Sequence, residues 1–180
     1  MAKMRTIHIE ARSDDKFGVE VKAGDRTMYV DQARSAGGAD GGANPLEYLF
    51  TSLAGCIATT ARIIASQKKL DLKGMDMKIE GAFDTDVLLG KRTDTRPGVT
   101  SIHVSITLDS AMSEMERKIF FQELRSRAPV ADTIAEATPI TIGAGQFCTT
   151  CTEHLKRSPE NQFPVSGQLT YFDKRDNNLV

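Results

Sequence analysis

Apolar and polar positions alternate over three short stretches near the start of the chain, Thr6–Ala11, Phe17–Val21 and Met28–Val30, separated by the turn-like SDDK and AGDR. Alternation sends successive side chains to opposite faces of a strand, so this region predicts a β-meander. The period then changes. From Asn44 to Leu70 the apolar residues recur at helical spacing, and at about 100° per residue Leu49, Leu53, Cys56, Ile57, Thr60 and Ile64 share one broad face. The longest helical pattern of the chain therefore carries a thiol in its apolar stripe. Ala54, Gly55, Ala58, Ala61 and Ala65 form a flank small enough for another backbone to come close. Asn44 suits a cap, Pro45 a first turn, and Lys68 and Lys69 a helix C-terminus. The preceding run SAGGADGGA, residues 35–43, reads as a flexible loop.

Strand periodicity returns with Met75, Met77, Ile79 and Phe83, and again with Ile102, Val104, Ile106 and Leu108, predicting two paired strands joined by the exposed GKRTDTRPG connection. Ser113 and Glu116 make a capping box, followed by Met115, Ile119, Phe120 and Leu124 at helical spacing to about Ala128, where Pro129 stops the helix. A short helix over Val130–Ala137 and a brief strand over Pro139–Ile142 complete the series. Strands, helix, strands, helix, strand is an α+β order, with antiparallel sheet packed on long helices. Residues 1–145 read as one domain. Residues 146–180 read as an appendage, docked on the body in part through Phe147, Phe163, Tyr171 and Phe172 or partly mobile, with a mobile end expected at DKRDNNLV.

At 180 residues the chain can bury a sizeable core, and its formal charge of -1 gives no general electrostatic reason to bind nucleic acid or an anionic membrane. No apolar run reads as long enough to span a membrane, and the first residues lack the pattern of an export signal, so the expected location is the cytoplasm. No phosphate-binding glycine motif is present and no cofactor is implied. Three cysteines are too few and odd in number for a disulfide framework.

Candidate chemistry centres on those cysteines. Cys56 is either a small buried hydrophobe or a reactive thiolate; the second reading needs a cation or donor, for which Arg34 is the nearest candidate along the chain. Glu47, in the first helical turn, can hold such an arginine or simply serve the helix N-terminus. Cys148-x-x-Cys151-x-x-His154 offers a redox pair, an inert pair, or three of the four ligands a structural zinc requires, with no second CxxC to complete the set. His8 and His103 fall on the polar positions of strand patterns and read as solvated. Met75 and Met77 fall on the inward positions and read as core.

The stretch NPLEYLFTSLAGC, the long helix, DLKGMDMKIEG, SIHVSITLDS and a capped helix ending in APV together resemble the OsmC/Ohr family of osmotically inducible and organic hydroperoxide resistance proteins, over about Ala43 to Ile142. The resemblance implies an intertwined homodimer with sites at the subunit interface. It also implies a hydroperoxide substrate, a peroxidatic thiolate at Cys56, and a second, resolving thiol later reduced by a dithiol. Two positions depart from the pattern. The resolving cysteine ordinarily opens a Cys-Pro-Val motif that here reads Ala128-Pro129-Val130, and the glutamate that ordinarily follows Asn-Pro is here Leu46, with Glu47 next to it. Cys148 or Cys151 is the expected substitute for the missing thiol.

Overall fold

The computed structural model describes residues 3–135 and the backbone of residues 169–173. The chain divides into two compact units, Met1–Leu53 and Ala54–Val180, with the division inside the long helix. The expected Pro139–Ile142 strand, Cys148, Cys151 and His154 lie outside the described residues.

The first unit holds the meander: β1 (Glu10–Ser13), β2 (Val19–Ala23) and β3 (Arg26–Val30), antiparallel in that order. β1 starts later than the alternation predicts. Glu10 pairs with Lys22, β2 ends one residue later at Ala23 and the chain turns over at Gly24 with φ +59, so Thr6–His8 reach past the end of their partner strand. The hairpin's short loop sets where pairing ends, whatever the side-chain pattern says.

The glycine-rich run is a loop, as expected, but a closed one. A 3-10 turn over Arg34–Ala36 opens it, the Asp40 N–H donates to the Gln32 carbonyl at 3.1 Å, and the Asp31 N–H donates to the Ala43 carbonyl at 3.3 Å. Gly38 and Gly42 are needed for close approach, since a Cβ on them would stand 1.9 Å from the Gln32 oxygen and 1.8 Å from the Tyr29 oxygen. The flexibility inferred from composition is thus corrected: these glycines let the loop fold tightly onto the chain before it.

Helix α1 (Pro45–Lys68) begins and ends where its signals place it. Asn44 Oδ1 accepts the Leu46 and Glu47 N–H groups at 3.0 Å, and the Glu47 carboxylate accepts the Asn44 N–H at 2.7 Å. At the other end Lys69 adopts φ +55, and the Leu70 N–H donates to the Ala65 carbonyl at 2.9 Å, which closes the last turn. By length and composition α1 is apolar enough to cross a membrane, which corrects the expectation that no such run exists. In the second unit it buries Ile57, Ala61, Ile64 and Ala65, so that two of the five small flanking residues belong to the buried face.

The second unit continues with β4 (Leu72–Ala82), a single-turn helix α2 (Thr85–Leu88), β5 (Ser101–Ser110), α3 (Glu114–Arg127), α4 (Pro129–Ala135) and β6 (Leu169–Asp173). β4 and β5 are antiparallel, with Met75, Met77 and Ile79 opposite Leu108, Ile106 and Val104, while Asp76, Lys78 and Glu80 alternate to the other face. β6 adds to β5 in parallel. The buried side chains here include Val104, Ile106 and Leu108 of β5 and Phe120 and Leu124 of α3; the Phe120 and Phe121 rings meet edge to face at 5.5 Å. α3 carries the expected capping box, Ser113 Oγ accepting the Glu116 N–H while Glu116 accepts the Ser113 N–H. Its far end is tied to α1 by Lys68–Glu123 at 2.6 Å and Arg127–Gln67 at 2.8 Å. The charged connection is held by Arg92, whose guanidinium grips both oxygens of Asp94 and reaches Asp84, the cap of α2.

Candidate functional site

Cys56 sits midway along α1 and is half-buried as a residue. Its sulfur accepts the Val130 N–H at 3.4 Å. Local sequence explains why that N–H is free. Pro129 opens α4, and the first backbone N–H groups of a helix have no partner inside it, so Val130 can donate outward. The bond seats the start of α4 against the Cys56 side chain. Ala128, at the position where the family resemblance expects a resolving thiol, is buried and its carbonyl accepts the Asp132 N–H at 3.0 Å.

The other expected residues belong to the first unit. Arg34 stands exposed on the 3-10 turn of the closed loop. Glu47 spends one carboxylate oxygen on the Asn44 N–H, the capping role, and among the described residues no ion pair joins it to Arg34. Leu46 is half-buried in the same turn. His8 and His103 are exposed, in keeping with solvated positions. Among the described residues no cluster of His, Cys, Asp or Glu is arranged to hold a metal.

Two groups escaped the reading of the sequence. Val130 contributes its backbone, which side-chain motifs do not report; Pro129 was the available signal. Asp31 is the other. It is only 4% exposed, and its carboxylate accepts three backbone N–H groups, from Gln32 at 2.7 Å, Gly41 at 3.0 Å and Ala39 at 3.1 Å. The Gly41 and Gln32 bonds, with a smaller contribution from Ala39, hold its carboxyl below the ordinary carboxylate range against the opposing push of burial. An acid just ahead of a glycine run was the clue. A groove of about 480 Å³ in the same unit is lined by Asp31, Phe17, Gly37 and Gly38 among others, and includes neither Arg34 nor Glu47.

Comparison with solved structures gives the same architecture at low identity. An OsmC-like protein from Mycoplasma pneumoniae superposes with a TM-score of 0.64 at 22% identity, covering 74% of this chain and 89% of that one. An organic hydroperoxide resistance protein OsmC from Legionella pneumophila gives 0.57 at 16%, covering 74% and 91%. One from Elizabethkingia anophelis, with thiocyanate bound, gives 0.55 at 17%, covering 73% and 89%. A sequence comparison with curated proteins finds no match. The profile described as OsmC-like protein matches residues 37–143, more than half of the 180, and with the α+β architecture around α1 this chain belongs to the OsmC-like family.

Proposed function

We propose that this protein is a thiol-dependent hydroperoxide reductase of the cytoplasm, acting as a homodimer, with Cys56 as the attacking sulfur. The observation that carries the reading is the half-buried Cys56 with the Val130 N–H directed at its sulfur. The thiolate attacks a peroxide oxygen, the O–O bond breaks, and the products are an alcohol and a sulfenic acid on Cys56. A second thiol then condenses with the sulfenic acid, releasing water and forming a disulfide, which a dithiol reduces. With alanine at 128, the reading assigns that second thiol to Cys148 or Cys151. Arg34 is its candidate for the cation of the thiol chemistry, and Glu47 for the acid that orients it. The hydroperoxide resistance proteins among the structural neighbours support the substrate class.

Turnover of cumene hydroperoxide with a dithiol tests the proposal. Full-length protein should consume peroxide, and Cys56→Ser should lose essentially all of that rate; a wild-type chain with no thiol-dependent turnover would sink it. The alanine at 128 favours one competing reading, a non-catalytic protein that binds a small apolar ligand, with Cys56 as a packing residue. That reading predicts equal, and negligible, peroxide consumption by wild type and Cys56→Ser.

A further inference from the structure

The loop that carries Arg34 contains four glycines, Gly37, Gly38, Gly41 and Gly42, and a chain of that composition left to itself samples many shapes. One side chain prevents this. Asp31 Oδ1 accepts the Gln32 N–H on the near side of Arg34, and Oδ2 accepts the Ala39 and Gly41 N–H groups on the far side, so a single buried carboxylate ties both ends of the segment together. The Gly38 N–H donates to the Ala33 carbonyl at 3.2 Å within the loop so closed. Arg34 itself is exposed, and none of the described residues bonds its side chain, so its location is set by the backbone alone.

We infer that Asp31 is a positioning residue for the peroxide chemistry, acting through the loop to fix where the Arg34 guanidinium is presented. The inference rests on the proposed reading of Arg34 as the cation of the Cys56 reaction. Asparagine at 31 nearly preserves shape but replaces one of the two acceptor oxygens with a donor, so it cannot hold all three N–H groups.

Peroxide reduction by the full-length chain, followed across pH, tests this. Asp31→Asn should slow the reaction about tenfold or more, as misplacement of a catalytic group does, and should move the midpoint of the pH–rate profile to higher pH. Amide exchange at Ala39 and Gly41 should quicken. In an Arg34→Ala background the same replacement should add little further loss, because both changes remove one contribution. Gly38→Ala, whose Cβ would stand 1.9 Å from the Gln32 oxygen, opens the loop from the backbone side and should reproduce the loss if the carboxylate variant folds poorly. A wild-type midpoint and rate in both Asp31→Asn and Gly38→Ala, or equal slowing with and without Arg34, would overturn the inference while leaving the thiol reading intact. An inactive wild-type chain would take both.

Discussion

The hydrogen bond from Val130 to Cys56 brings the start of α4 against the Cys56 sulfur, and Ala128 lies two residues before the donor, buried where the family resemblance expects a thiol. Replacing alanine by cysteine adds one sulfur atom and no branching, a small volume change even in a packed site. In a chain whose tail cysteines are both serine, Ala128→Cys should therefore form a peroxide-dependent bond to Cys56. Mass spectrometry would read it as the loss of two hydrogens, restored by a dithiol. Persistent over-oxidation of Cys56 without that linkage would show that the alanine Cβ does not face the sulfur. The sequence disclosed the thiol and the missing partner, because both are side-chain identities at recognisable spacings. It hid the donor because a backbone N–H has no letter of its own. Asp31 was hidden for a related reason: its role depends on three amides up to ten positions away.

Among the elements, those whose ends are written in local chemistry were legible. Asn44 with Pro45 starts α1, Ser113 with Glu116 starts α3, and alternation aligns β4 with β5. α2 is too short to show a period, and β6 depends on parallel pairing with a strand more than fifty positions earlier, which no local pattern encodes. The C-terminus of α1 closes on a residue poorly suited to it. Lys69 holds φ +55, a conformation that costs a side chain with a Cβ roughly 1–2 kcal/mol, while glycine there would give back part of that gain through the unfolded chain. Lys69→Gly should stabilise the protein by about 0.5–1 kcal/mol, seen as a rise of about 1–4 °C in melting temperature for a chain of this size. A lower melting temperature would mean that the lysine side chain contributes more than its backbone costs.

On the scale of the molecule, burial is distributed unevenly. No residue from Lys3 to Val30 is buried, and Ile7, Ile9, Phe17 and Tyr29 are each more than half exposed, whereas a three-stranded sheet ordinarily needs a covered face to persist. Exposure on this scale, taken among the described residues, is what the proposed homodimer would cover with a second copy of the chain. Gly55 gives that proposal a test of sign. A Cβ added there meets nothing within 4 Å among the described residues, and a glycine inside a helix costs about 0.5–1 kcal/mol relative to alanine. If the chain acts alone, Gly55→Ala should raise stability by that amount at every protein concentration. If the small flank of α1 seats a second helix, the added methyl enters a packed interface at a cost of about 1–3 kcal/mol. Stability should then fall, and the species at twice the 19.7 kDa chain mass should dissociate at higher concentration than wild type. Light scattering with thermal melts over a wide concentration range separates the two outcomes, and a stabilised variant running at the single-chain mass would refute a dimer built on this face.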